Sequence, residues 1–417
     1  MLDLYRVAVC ACVLGQHSFI WTGMSTNDIG TGFITMLHFT RNAFFFLTGL
    51  VVCYAQITRP RSFGRFYVRR YIQIGIPYLA WTVIYVVFTI LRPGGEWSQA
   101  RSYFWTDIRI GYYQLYVIVV LFQFYLVFPF LLKLLQWTSN RTHVVITSIS
   151  VAVALLIGVD LHFNPDLGVL GHAIHDIGNG WVWSRDFVSY QAYFVVGMMV
   201  AFHFEQVHGF VGRWYRQILA VSAAVGVTTL VWYVVVISQG ATTASASDVY
   251  EPIAVLWSFG AITGLFALSW CWERRRARRV AATGAAGSAG VAAVSSSTAA
   301  ASRSGLVSRL TGGRPLSVTY LAELTGGFYL CHVLFINMIR AILYSGFIGG
   351  THLAWPLRTA IFYVGTALVA VTFMSLIVRS PLRWVLGGPV RAEQRVRDNA
   401  EVALRAAREA ELVGVST

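Results

Sequence analysis

The chain has 417 residues, 56% of them hydrophobic and 12% charged, with a formal net charge of +14 and a mean hydropathy of +0.61. This excludes an ordinary water-soluble globular protein, whose charged share is about 25%, and places the chain in a bilayer. The positive charge does not make it a nucleic-acid binder, because the arginines are spread over many connecting segments and not gathered on one groove.

Crossing a hydrocarbon core of about 30 Å takes about 20 apolar residues. Runs of that kind recur at 4–22, 35–57, 71–91, 111–132, 143–159, 189–204, 217–237, 252–271, 321–345 and 357–378. They predict an all-α integral membrane protein, a polytopic bundle of ten transmembrane helices. The first run begins almost at Met1 and is followed by no small-residue cleavage signature, so it reads as a retained helix and not a secretory signal. Segments 58–70, 133–142, 203–216, 272–320 and the tail from 379 hold 5, 2, 2, 8 and 7 Lys and Arg, whereas the alternate loops hold only Arg92, Arg101, Arg109 and Arg185. Positively charged loops stay in the cytoplasm, so both termini are expected there. The chain then divides into helices one to eight (1–271), a basic and then Ala/Gly/Ser-rich cytoplasmic linker (272–320), helices nine and ten (321–378) and a charged tail helix (379–417).

Two titratable residues, Arg6 and His17, interrupt the first apolar run. Such groups are costly in hydrocarbon and mark a cavity or reacting centre. Eleven residues apart, they share one helix face and are separated by about 16 Å. His38 and Arg41 follow in the outer half of the second helix, one turn apart and level with His17. This grouping suits proton transfer, with His17 as general base and Arg41 or His38 stabilising developing negative charge. At the inner end, Asp3 and Arg6 adjoin a loop carrying Arg59, Arg61, Arg65, Arg69 and Arg70, which enters the third helix through Gln73 and Pro77. Arginines at a membrane surface attract phosphate, from lipid or from a phosphorylated ligand. Together these residues describe a conduit suited to a long phosphorylated donor entering from the cytoplasm, such as acyl-coenzyme A, and an acceptor hydroxyl arriving from outside.

The remaining polar features carry less. Cys10, Cys12, Cys53, Cys271 and Cys331 all fall within predicted spans, which argues against a disulfide framework and for small packing residues. The long outer loop, about 160–188, mixes Asp160, His162, Asp166, His172, His175, Asp176, Arg185 and Asp186 with Trp181 and Trp183. Polar side chains interleaved with tryptophan suit a sugar platform or acceptor entrance, and equally a solvated loop with interfacial tryptophans. His172 and His175 alone make a weak metal signal, and no metal site is expected.

The chain resembles the membrane acyltransferase-3 family, which includes acetylases of O-antigen and other surface glycans. The resemblance rests on Asp3, Arg6 and His17 in LDLYRVAVCACVLGQH, with the family's Arg, ten residues, His spacing, and on FFFLTGL from Phe44 to Leu50. RRYIQIGIPY from Arg69 to Tyr78 and GFYLCH from Gly327 to His332 complete the ordered set. It implies that His17 is the catalytic base, that Arg6 acts on the donor side, and that Arg65, Arg69, Arg70 and Gln73 lie where coenzyme A phosphates would be met. Many members have a second arginine three residues beyond the first; here Gln73 follows Arg70. His332 stays open between a packed histidine and a catalytic one. No fused acyl-carrying domain is seen after the tenth span, so acceptor delivery would fall to the bundle or to envelope-assembly partners.

The expected activity is an O-acyltransferase of a bacterial plasma membrane. It would move an acyl group, acetyl first of all, from acyl-coenzyme A as co-substrate to a glycan, glycolipid or related envelope acceptor. An exporter or flippase of a lipid-linked saccharide is the alternative, and a structural scaffold ranks below both because it leaves Arg6 and His17 unexplained.

Overall fold

The computed structural model describes residues 1–163, 185–289, 317–345 and 352–388, and no strand occurs among them. Residues 290–316 of the expected linker, 164–184 of the outer loop and the tail beyond residue 388 lie outside the described residues. Helices follow in the order α1 Leu2–Trp21, α2 Asp28–Leu37, α3 Phe39–Thr58, α4 Phe63–Ile90, α5 Ala100–Ile110, α6 Tyr116–Trp137 and α7 Asn140–Phe163. After the outer loop come α8 Gln191–Phe202, α9 Phe204–Ser238, α10 Pro252–Ala289, α11 Val318–Leu343 and α12 Trp355–Ile377.

Every apolar run falls on helix, and the protein is an all-α polytopic membrane protein. Eight helical segments among the described residues are long and apolar enough to cross a bilayer. The other two predicted runs are α1 and α8. α1 has the length, 20 residues, but Asp3, Arg6, Gln16 and His17 dilute its hydropathy. α8 is apolar but only 12 residues long.

The second run is two helices. Asn27 caps α2 by accepting from the backbone N–H groups of Ile29 and Gly30, as Asn at an N-cap does. At His38 the bond closes one residue short, from His38 N–H to the Thr35 carbonyl, and α3 starts afresh at Phe39. Arg41 therefore sits in the first turn of α3 and not midway along an unbroken helix.

Lipid tails are as apolar as leucine, so helices in a bilayer associate through close packing rather than through escape from water. α3 and α8 cross with their backbones in close contact, and two glycines allow it. A Cβ on Gly49 would collide with the carbonyl oxygen of Phe194, and one on Gly197 with that of Phe46. Around this crossing Phe45, Phe124, Phe194 and Tyr190 form one core, with Phe124 and Phe194 stacked at 4.3 Å between centroids. A second core joins α4, α11 and α12 through Trp81, Tyr85, Leu330, Phe362 and Met374. α1 packs on α11, α12, α2, α3 and α10. It gives Tyr5 and Val9 to the first core and Leu14 to the second, so its polar residues lie along the seam between them.

The glycine crossing predicts opposite signs for one substitution. Gly49→Ala or Gly197→Ala forces backbones apart and should destabilise by about 1–3 kcal/mol. Gly209→Ala on α9, where a Cβ meets nothing within 4 Å, should be neutral or stabilising by up to about 1 kcal/mol through helix propensity. Thermal unfolding of the three variants in one detergent checks the order.

Candidate active site

α1 positions the two groups at the ends of the site. At His17 a cavity of about 500 Å³ opens, lined by Cys10, Gln16, His17, His38, Arg41, Phe44, Tyr113, Tyr116, Arg185 and Tyr329 among others. At Arg6 a smaller cavity of about 180 Å³ is lined by Arg6, Arg70, Thr48, Tyr125 and Thr325. Both are also walled by Val9, Cys10 and Phe44. The two chambers thus follow one another along α1 over the length of about 16 Å that separates Arg6 from His17, with Phe44 on the wall of both. That ring stacks on Tyr329 of α11 at 5.7 Å.

The predicted outer group assembles: His17, His38 and Arg41 line one cavity. Arg41 Nη1 donates to the Tyr116 hydroxyl at 3.3 Å, and its guanidinium lies over the rings of Tyr190 and Tyr250 at 5.4 and 5.7 Å. Burial pushes the Tyr250 hydroxyl up to about 12 despite the pull of Arg41, so at neutral pH it supplies a π-face and no counter-charge. Arg41 Nε is buried without a hydrogen-bond partner. The positive end of the α3 dipole also opposes a cation in that turn. A cation kept there, with phenol rings around it and one edge on a cavity, is set to meet negative charge that arrives or develops.

His17 is held from two sides. Tyr113 packs on it at 5.4 Å between centroids and His332 at 5.1 Å. Tyr113 has a φ of 39°, a left-handed conformation that costs energy for a large side chain. The next residue fixes the turn: Gln114 Nε2 donates to the Tyr85 hydroxyl at 2.6 Å and to the Leu330 carbonyl at 3.2 Å, while Tyr329 Oη donates to the Gln114 carbonyl at 2.7 Å. Polar bonds from α4 and α11 thereby hold an aromatic side chain over His17.

The inner group assembles in part. Arg70 joins Arg6 on the smaller cavity, its guanidinium 5.8 Å from the Tyr125 ring centroid. Arg65 and Arg69 are exposed and Gln73 is half-buried, and none of the three lines either chamber. On a helix, neighbouring residues point about 100° apart, so of Arg69 and Arg70 only one faces inward.

Sequence reasoning left Arg185 in the outer loop and overlooked Tyr116, Tyr190, Tyr250 and Gln114. Arg185 reaches the cavity because Gln123 of α6 clamps its segment, donating to the Arg185 carbonyl at 2.8 Å and accepting from Phe187 N–H at 2.9 Å. Nearby Asp186 is occupied as a cap, accepting from Ser189 N–H at 2.9 Å and Ser189 Oγ at 3.2 Å. Of the other outer-loop residues singled out, Asp166, His172, His175, Asp176, Trp181 and Trp183 lie outside the described residues.

A family model described as "Acyltransferase domain" matches residues 2–375. No curated protein and no solved structure matches the chain.

Arg41 is a buried cation with no paired anion among the described residues, which weighs against the bundle; even buried ion pairs are commonly replaced by apolar groups of similar volume with a neutral effect or a gain of about 1–4 kcal/mol. Arg41→Met is therefore expected to leave the melting temperature in detergent unchanged or raised. A marked fall would show that the tyrosine cage stabilises the cation by itself.

Proposed function

The chain belongs to the membrane acyltransferase-3 family and is an acyltransferase; on that premise we propose that it moves an acyl group, acetyl first of all, from cytoplasmic acyl-coenzyme A to a hydroxyl of a cell-envelope glycan or glycolipid. The observation that carries this reading is the pair of chambers sharing Val9, Cys10 and Phe44, with Arg6 and Arg70 at one end and His17 and Arg41 at the other. A phosphate-rich nucleotide held by the arginines at the inner mouth would send its extended pantetheine arm along α1 and bring the thioester to His17. Arginine forks suit phosphate oxygens. The largely apolar walls contributed by Val9, Phe44, Leu47, Val51 and Val52 suit an uncharged arm.

In the outer chamber His17 takes the proton of the acceptor hydroxyl as its oxygen attacks the thioester carbonyl. Arg41, on the same cavity, stabilises the tetrahedral oxyanion. Collapse breaks the C–S bond, and His17 returns its proton to the departing thiolate, so an ester and a free thiol are the products. Tyr113, aromatic and partly exposed over His17, offers a face on which a sugar ring packs. A position spanning the bundle suits a donor and an acceptor held on opposite sides of a bilayer.

Two outcomes test this reading. With labelled acetyl-coenzyme A and native envelope material, His17→Ala is expected to lose transfer by about 10²–10⁴-fold, the usual contribution of a general base, at unchanged abundance and folding. Full activity in that variant contradicts the assignment. Cys10 walls both chambers but is partly buried, so a small reagent should alkylate it only slowly, and coenzyme A should slow that reaction further. Mass spectrometry that finds Cys10 alkylated equally with and without coenzyme A places the donor elsewhere.

A further inference from the structure

Two imidazole nitrogens remain unanswered beside the reacting centre. His332 of α11 is fully buried and lies behind His17, whose ring is on the cavity wall. His332 Nδ1 is 2.7 Å from the Tyr329 carbonyl oxygen. A carbonyl only accepts, so Nδ1 carries the proton and Nε2 of the neutral ring is a bare acceptor. That Nε2 is buried with no partner, and so is Nδ1 of His17. The two rings lie with centroids 5.1 Å apart and planes 37° apart; these two nitrogens are not hydrogen-bonded to each other in this structure, and a turn of the His17 ring is what would bring them together. Phe328, stacked on His332 at 3° between planes, and the Tyr329 carbonyl together leave that ring little freedom to turn.

We infer that His332 is a positioning residue for the acyl transfer: its Nε2 accepts a hydrogen bond from His17 Nδ1–H and so fixes His17 with its other nitrogen, Nε2, bare toward the cavity. One bond satisfies both orphaned atoms. It also selects the tautomer in which His17 can act as a base, since Nδ1 is the nitrogen buried away from the cavity. When the acceptor O–H bond breaks and its proton moves to His17 Nε2, the resulting imidazolium keeps its Nδ1–H directed at the His332 lone pair. As the C–S bond breaks, the same proton passes from His17 Nε2 to the thiolate, and His332 neither gains nor loses one. A histidine does here what a carboxylate does in a serine hydrolase triad, orienting the base without taking its proton. It does so without placing a formal charge in the seam between the two cores. Among the described residues, the other titratable and charged groups around the pair include Tyr113 over His17, Tyr329 beside His332, and Cys10, His38, Arg41, Tyr116 and Arg185 on the cavity.

This inference rests on the proposed role of His17, and two side chains separate it from simple packing. Gln at 332 places its terminal amide near the Nε2 position and can accept from His17; Asn reaches only the Nδ1 position and can replace only the bond to Tyr329. Transfer from labelled acetyl-coenzyme A is measured for wild type, His332→Gln and His332→Asn, with rates normalised to the monodisperse fraction. A positioning role predicts that Gln stays within about tenfold of wild type. Asn then loses kcat on the order of 10²-fold with KM for acetyl-coenzyme A unmoved, and adds no further loss in a His17→Ala background, because residues acting as a unit are not additive. The reverse order, equal rates in the two variants, or collapse of both from the monodisperse fraction assigns His332 to packing and overturns the inference. Absence of transfer by the wild type instead removes the proposed function itself.

Discussion

No water is at hand in a bilayer to solvate a titratable side chain, and this bundle is organised around a helix that carries Arg6 and His17. α1 is the seam between the aromatic core built on the α3–α8 crossing and the core built on α4, α11 and α12. Its apolar positions are shared between the two, with Tyr5 and Val9 on one side and Leu14 on the other. The cores cannot close over Arg6 and His17 without burying them unanswered, which is costly, and two adjoining chambers lie there instead. Site and fold thus have one cause.

The same constraint explains how the chamber at His17 is equipped. Arg41 is surrounded by phenol rings and hydroxyls rather than carboxylates, so it remains a cation with unsatisfied hydrogen-bonding capacity. The break at His38 gives α3 a new N-terminus at the cavity, adding partial positive charge where Arg41 already stands. Tyr113 is held at a positive φ by bonds that run from Gln114 to α4 and α11. Each of these features costs stability locally, and under the proposed function each would be offset by a charge or ring that occupies the chamber during reaction. The glycine contacts between α3 and α8 supply the rigidity that lets such groups keep their places.

Much of this was legible in the sequence, for reasons of length and period. A span of about 20 apolar residues has few other uses, so the ten runs all fell on helix. The interval between Arg6 and His17 fixed their shared face before any packing was known, and His38 and Arg41 were drawn to the same chamber. The remainder depends on tertiary contacts with no local signature. Tyr116, Tyr190 and Tyr250 come from three separate segments and meet only around Arg41. Arg185 looked like a loop residue until Gln123 tied its backbone to α6. Arg65 and Arg69 were grouped with Arg70 by composition, whereas helical rotation turns only Arg70 to the chamber at Arg6. His332 was visible as part of a motif, but its bearing on His17 came from the neighbouring rings and their two unpartnered nitrogens.

A single conduit joining a donor chamber at Arg6 and Arg70 to a reaction chamber at His17 and Arg41 is the centre of this account. Its most direct test uses sealed vesicles carrying the protein in one orientation, with labelled acetyl-coenzyme A supplied only on the side of Arg6 and envelope acceptor enclosed on the other. The account predicts label on the enclosed acceptor while coenzyme A stays on its own side. Label that appears only when donor and acceptor share a side would contradict it.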